Sequence, residues 1–283
     1  MTVCIPIVFG GAFNKYLKKP IPLAVISGSS QDSKYYFIKG QTKLKMKKSI
    51  LDFRYMSVRD DWTQKMIEYI TDGDVVPRVT PDPVFAFNNN ASHLVPLKED
   101  IIKKFDIPKD YIILSFKGTK SVSQDWINEL QKLANAKGLA CVKLPYADAP
   151  AFGDIQYSVG DIVTPLEWYA LIKHSKGYIG NNMHPIVTSI TNGVPFFSFD
   201  NYGIPMIDGK QTNGESSKIY HILKQADLLD NRIYTCCKDY SPIEPKEVLN
   251  KIINFDILKE KTFADRYYKQ YEKMMIDVFK SIK

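Results

Sequence analysis

Residues 178–200, Tyr-Ile-Gly-Asn-Asn-Met-His-Pro-Ile-Val-Thr-Ser-Ile-Thr-Asn-Gly-Val-Pro-Phe-Phe-Ser-Phe-Asp, constrain the fold more than any other stretch of the chain. Tyr178 and Ile179 read as a buried strand and Gly180-Asn181-Asn182 as a polar turn. A short helix opens at His184-Pro185 and closes at Asn192-Gly193, and Val194 to Phe199 reads as a second buried strand. Proline suits a first helical turn because its missing N–H would be unpaired there, and glycine suits the position just past a helix end. In a parallel α/β sheet, the turn from a strand's C-terminal end into the next helix is where ligands bind, and the free helix N–H groups there favour anions. Asn181, Asn182 and His184 fall in that turn.

The rest of the chain repeats the plan. Val3 to Phe9 followed by Gly10-Gly11, and Ile21 to Ile26 followed by Ser27-Gly-Ser-Ser30, both read as strands running into small-residue loops. Gln41 to Phe53 is helical, Tyr55 to Val58 a short strand leading into Arg59-Asp60-Asp61, and Trp62 to Tyr69 a helix for which Asp61 can serve as N-cap. Val75 to Val79 is the next strand, stopped by Pro81-Asp82-Pro83. Residues 88–110 turn polar, with three asparagines, Pro96 and Pro108, and read as a connection holding a short helix at Lys98 to Phe105. A second α/β series follows: strand Tyr111 to Phe116, loop Lys117 to Lys120, helix Val122 to Lys137, strand Leu139 to Leu144. Thr164-Pro165-Leu-Glu167 then opens a helix to Lys173 with a capping box. Beyond Phe199 come a Gly- and Asp-rich loop (200–214), a helix from Ser217 to Leu229, a strand Arg232 to Cys236, a helix Pro245 to Ile253, and a long helix Ile257 to Ile282. Phe263, Tyr267 and Tyr271 make one packing stripe on that last helix.

Strands alternating with helices, twice over, predict an α/β fold of two Rossmann-like, doubly wound domains facing a cleft. Residues 1–90 form the first domain, joined by the C-terminal helix 257–283, and residues 106–255 form the second. With 45% hydrophobic and 24% charged residues, the 283-residue chain can bury a real core, which excludes a disordered protein. The net charge of +7 is spread over the chain except for the run Lys43 to Lys48. That run is most simply a solvated helix face, and it leaves open peripheral contact with a negatively charged membrane surface; no nucleic-acid partner is expected. Cys4, Cys141, Cys236 and Cys237 have no metal-ligand or disulfide spacing, which fits a reducing compartment and no zinc. No apolar run reaches the length of a membrane span. The expected location is therefore the cytoplasm, with the inner membrane face as a site of contact, and nothing here indicates an oligomeric state.

Several pieces taken in order resemble the polysaccharide pyruvyl transferase family. They are the Gly10-Gly11 turn, Met56-Ser-Val-Arg-Asp60 leading into a helix, Asp82-Pro83-Val84-Phe85, the Thr164-Pro165-Leu-Glu167 helix opening, and the strand-turn-His-helix from Ile179 to His184. Gly193-Val-Pro195, Ser217-Lys218 and Leu228 to Arg232 follow. The resemblance implies a fold like that of the two-domain GT-B glycosyltransferases, here with a shortened first domain, because members carry further sequence ahead of the Gly-Gly turn. It also implies transfer of a pyruvyl group, as a cyclic ketal, from phosphoenolpyruvate to a saccharide or lipid-linked saccharide during capsule or exopolysaccharide assembly, with no cofactor and no metal. Many relatives place Arg where this chain has Asn182.

Phosphoenolpyruvate is a small dianionic ester with a further carboxylate, so its site needs fixed cations and helix N–H groups. His184 is the candidate acid, since an ordinary imidazole titrates near ~6.5. Asn181, Asn182, Lys117 and Lys218 are candidate donor-site residues, each at a strand end or helix start. Arg59, Gly10 and Gly11 belong either to a cleft or to the structure of the first domain, Arg59 by pairing with Asp60 or Asp82. His93, His174 and His221 read as surface or structural. Two rival readings stand beside this one: a GT-B glycosyltransferase or sugar-nucleotide epimerase holding a nucleotide diphosphate in the same crevice, and a non-catalytic glycan-binding relative.

Overall fold

The computed structural model describes residues 18–19, 21–118, 121–146, 151–160, 162–238 and 240–283. The strand expected at Val3 to Phe9 and the turn at Gly10 and Gly11 lie outside them. The chain divides into two compact units, residues 1–85 with 266–283, and residues 86–265.

In the first unit, β1 (Leu23–Gly28), β2 (Phe53–Val58) and β3 (Arg78–Val79) pair in parallel in that order, linked by α1 (Gly40–Leu51) and α2 (Asp61–Thr71). The core is small: Met46 and Ile50 from α1 meet Val58, and Met66, Ile67 and Ile70 from α2. Asp60, not Asp61, caps α2. Its Oδ1 accepts from the Thr63 N–H at 2.6 Å and from the Thr63 hydroxyl at 2.6 Å, while Asp61 is already the first helical residue. With two adjacent aspartates the cap falls to the one placed three residues before an N–H that it can reach, and that N–H belongs to Thr63.

The stretch 88–110, expected as a connection, belongs with the second unit and is largely helical: α3 (Phe87–Ala91) and α4 (Lys98–Phe105). Asn88 holds it in place. Its Nδ2 donates to the Thr191 carbonyl at 3.2 Å and to Asn192 Oδ1 at 3.0 Å, and its Oδ1 accepts from the Tyr169 hydroxyl at 3.0 Å.

From there the chain lays down β4 (Tyr111–Ser115), α5 (Gln124–Asn135), β5 (Ala140–Lys143), β6 (Tyr157–Ser158), α6 (Pro165–Lys173), β7 (Tyr178–Gly180), α7 (Met183–Asn192) and β8 (Phe196–Asp200). A small hairpin follows, β9 (Met206–Ile207) and β10 (Lys210–Gln211). The rest is α8 (Lys218–Ala226), β11 (Arg232–Tyr234), α9 (Pro245–Ile253) and α10 (Ile257–Ile282), the last of which runs across the boundary between the units. The predicted bounds of α4, α6, α9 and α10 coincide with those observed. Strand β6 and the β9–β10 hairpin are additions to the expected series of elements. The hairpin has a sequence signal nonetheless: Asp208-Gly209 sits at positive φ, 48° and 76°, the backbone that a tight hairpin turn demands.

Six of these strands form one sheet in the order β11-β8-β7-β4-β5-β6, all parallel. Numbered within the unit, that is the doubly wound order 3-2-1-4-5-6 read from one edge. A parallel sheet is covered on both faces, and all five residues of β4, all three of β7 and all five of β8 are buried. On one face Ile112, Leu114, Ile179, Phe197 and Phe199 meet Trp126, Ile127 and Leu130 of α5 and Val248, Leu249 and Ile252 of α9. On the other, the Tyr111 hydroxyl donates to the Leu171 carbonyl of α6 at 2.8 Å. The Thr164–Glu167 capping box is present with Pro165 at the first helical position, and Gly193 ends α7 at φ 66°.

On α10, Phe263 and Tyr267 are buried and Tyr271 is half-buried. Glu260 of the same helix is wholly buried, and neither carboxylate oxygen has a hydrogen-bond partner. Burial pushes its carboxyl up to about 10. An acid raised in the folded state contributes its full share of stability below its unfolded value of about 4.5 and loses it as pH climbs towards the folded value. We predict that Glu260→Gln stabilises the fold at pH 8 by a free energy on the order of 3 kcal/mol and so raises the melting temperature. The gain should vanish near pH 4.5 in thermal denaturation followed by circular dichroism. An equal effect at both pH values would refute the assignment.

Candidate functional site

The connection from β4 leads to one face of the sheet and that from β7 to the other, so the two strands diverge at their C-terminal ends and leave a crevice between β4 and β7. Ser115 is in register with Gly180, and the chain beyond each strand, Phe116-Lys117-Gly118 and Asn181-Asn182-Met183, forms the rim.

Hydrogen bonds tie the two rims together. The Asn181 N–H donates to the Ser115 carbonyl at 3.2 Å, and Asn181 Oδ1 accepts from the Lys117 N–H at 3.1 Å and from the Tyr146 hydroxyl. A backbone N–H can only donate, so the Asn181 side-chain oxygen must point at Lys117 and the orientation of the amide is settled. Its Nδ2 is buried with no partner, in a residue of 0% exposure. An unsatisfied buried donor costs about 1–3 kcal/mol, and an acceptor oxygen arriving in the crevice would relieve it. Lys117 is exposed, with its Nζ 5.7 Å from the centre of the Tyr146 ring.

The floor is a relay. The Asn182 N–H donates to the Tyr178 phenol at 3.3 Å, the phenol is hydrogen-bonded to Ser115, and the Ser115 hydroxyl donates to the Leu144 carbonyl at 2.9 Å. Burial raises the Tyr178 hydroxyl above its ordinary value, so it stays a neutral donor. The ring folds back over Gly180, where any Cβ would collide with the phenol and with the Ser115 carbonyl. Asn182 is the N-cap of α7, its Oδ1 accepting from the His184 N–H at 3.2 Å. That use takes its oxygen and leaves its amide N–H groups for other contacts. The His184 side chain is exposed at the second helical position, and Pro185 next to it removes one N–H from the first turn.

Over the neighbouring strand, Asp200 ends β8 in a buried ion pair, its Oδ2 2.7 Å from Arg232 Nε, with both side chains almost wholly covered. Burial pushes the Asp200 carboxyl up, against the pull of the Arg232 guanidinium. The Tyr202 N–H at 3.0 Å and the Ser217 hydroxyl also bond to Asp200, and Arg232 Nη2 donates to the Asn213 carbonyl at 2.9 Å. Ser217 is the N-cap of α8, so this buried pair holds the helix on which half-buried Lys218 is the first residue.

The turn thus brings Lys117, Asn181, Asn182 and His184 together, and Lys218 starts a helix over the adjacent strand. Arg59 belongs to the first unit, where its guanidinium pairs with Asp82 and its N–H donates to the Gly28 carbonyl at 3.0 Å. Gly10 and Gly11 are outside the described residues. His174 bonds the Pro96 carbonyl at 3.0 Å and His221 is buried, while Cys141 is a packing side chain inside the sheet whose thiol burial pushes up to about 12. Sequence reasoning missed Tyr146, Ser115 and Tyr178. Tyr146 had a usable signal, because it follows a strand end; Tyr178 had none, since an aromatic opening a buried strand reads as core.

A family model described as polysaccharide pyruvyl transferase matches residues 4–202. A search of curated proteins finds no match. Among solved structures, the chain is similar to a UGT transferase from Siraitia grosvenorii in complex with UDP, at 12% identity and TM-score 0.47, over 88% of this chain and 65% of that one. It is also similar to the wall teichoic acid polymerase TagF, H444N variant with CDPG, at 13% identity and TM-score 0.46, over 90% of this chain and 60% of that one. A putative UDP-N-acetylglucosamine 2-epimerase from Listeria monocytogenes is similar at 12% identity and TM-score 0.42, over 90% and 67%. This chain therefore spans about two thirds of the length of these structures or less, and likeness at this level says nothing of what it binds.

The glycine under the phenol generates a prediction that needs no ligand. Gly180→Ala should destabilise the second unit by about 3 kcal/mol or more, because the methyl meets backbone on one side and a packed ring on the other. Denaturant titration checks this, and an unchanged midpoint would show that the ring is not seated as described.

Proposed function

The chain belongs to the polysaccharide pyruvyl transferase family, and on that premise we propose that it transfers a pyruvyl group from phosphoenolpyruvate to two hydroxyls of a saccharide. The observation that carries the reading is the buried, unpartnered Asn181 Nδ2 at the crevice between β4 and β7. A donor held there without an acceptor suits a carboxylate or phosphate oxygen. Lys117 adds a point charge from the opposite rim, the Asn182 amide faces the same turn, and Lys218 supplies a second cation from the start of α8.

His184 is the acid in this reading. Its imidazolium gives a proton to the methylene carbon while a sugar hydroxyl oxygen bonds to the central carbon of phosphoenolpyruvate. The bond from that carbon to the phosphate ester oxygen then breaks, the electron pair leaving with phosphate, and the second hydroxyl closes the ketal. Of the two hydroxyl protons released, one returns to His184 and the other departs on phosphate, so the products are the ketal and hydrogen phosphate. The acceptor is a saccharide, free or lipid-linked, of a capsular or exopolysaccharide precursor. No cofactor enters the scheme.

Calorimetric titration with phosphoenolpyruvate tests it. Asn181→Asp keeps the oxygen that Lys117 and Tyr146 need and replaces the unpaired N–H group with an anionic oxygen. Affinity is expected to fall about 100-fold. His184→Ala should abolish phosphate release in the presence of acceptor while leaving the folded fraction unchanged. Equal affinity in native chain and Asn181→Asp, or binding of a nucleotide sugar with none of phosphoenolpyruvate, would overturn the proposal.

A further inference from the structure

The lysine run is not evenly solvated, and its arrangement on the first unit singles out one face. From Ser33 to Leu51 the sequence holds lysines 34, 39, 43, 45, 47 and 48 and no acidic residue. Two of these lysines are turned inward: Lys43 Nζ lies 2.6 Å from Asp72 Oδ1, and Lys47 Nζ lies 3.1 Å from Asp72 Oδ2 and 2.8 Å from Asp74. Met46 and Ile50, adjacent to Lys43 on the wheel, fill the core. The opposite face of α1 carries Gln41, Leu44, Lys45, Lys48 and Leu51, all exposed and spaced by three and four. Lys45 and Lys48 have no carboxylate partner among the described residues. Just ahead of the helix stand exposed Lys34 and Lys39, with Phe37 between them at 69% exposure; Leu44 and Leu51 are each 51% exposed. Asp52 is the C-cap of the helix.

Cations alone would suit any polyanion. Three large apolar side chains interleaved with them would remain in water on a nucleic acid, whereas an interfacial helix uses both kinds of group at once, apolar side chains below the headgroups and lysines snorkelling to them. We propose that the Phe37 segment and the outward face of α1 form a docking surface for an anionic lipid bilayer. The inference stands apart from the pyruvyl transfer reading, since it involves none of the residues assigned to that chemistry.

Sedimentation of the full chain with phosphatidylcholine vesicles, with and without phosphatidylglycerol, tests it. The chain is expected to bind the anionic vesicles and to be released by high salt. Lys45→Glu with Lys48→Glu should lower the partition coefficient at least about 25-fold. Phe37→Ser with Leu44→Ser should lower it about tenfold at unchanged charge. All four side chains are exposed, and unchanged melting curves will confirm that the variants fold. Equal binding to both vesicle types, or no binding to either, overturns the proposal. So does full retention of binding in either double variant; loss in the lysine variant alone would mean charge attraction without insertion.

Discussion

The pairing of β4 with β7 is the constraint on which the second unit depends. These strands are distant in sequence and adjacent in the sheet, with Ser115 opposite Gly180, and the windings of the chain part on either side of them. Because the backbone leaves the two strands for opposite faces, the crevice at their C-terminal ends cannot be filled by a connecting loop. Close pairing has a local requirement as well. The Tyr178 phenol has to reach Ser115 over position 180, and only a residue without a Cβ allows it.

The chemistry of the crevice follows from how its polar groups are spent. Ser115, Tyr178 and the Asn182 N–H satisfy one another in a line ending at the Leu144 carbonyl, so the floor is rigid and neutral. Asn181 is the exception. Its oxygen is doubly used and its nitrogen is not used at all. A buried amide in that state is strained towards an acceptor, and the exposed Lys117 and His184 side chains stand on the same rims. The Asp200–Arg232 pair beside it does the opposite work: two buried charges, each with further hydrogen bonds, anchor the start of α8 and are closed to a ligand.

Much of this was legible from residue pattern. Helices α6 and α9 announce themselves by Pro at the first turn, α6 with a capping box besides, and β4, β7 and β8 by short apolar runs between turn residues. The placement of Lys117, Asn181, Asn182 and His184 on facing rims was expected because strand ends followed by polar turns converge in a doubly wound sheet. Less legible were features set by a choice between neighbours. Asp60 and Asp61 are equally good caps as letters, and only the reach to the Thr63 N–H decides between them. The polar text of residues 88–110 suggested a connection, yet Asn88 uses both ends of its amide on Tyr169, 81 positions later, and on Thr191 and Asn192, 103 and 104 positions later.

What the sequence by itself determined is the series of strands and helices, the turn that carries Asn181 to His184, and the family to which the chain belongs, because all of these rest on local periodicity, caps and motif order. The tertiary structure decided which strand lies beside which, and with that the crevice between β4 and β7. It also decided that Asn181 has a donor to spare, that Tyr178 is a buried hydrogen-bonding group instead of plain core, and that Lys43 and Lys47 are bound to Asp72 while Lys45 and Lys48 are not. Each of these depends on groups far apart in the chain meeting at hydrogen-bond distance, and no local pattern of residues encodes whether a polar atom will find a partner.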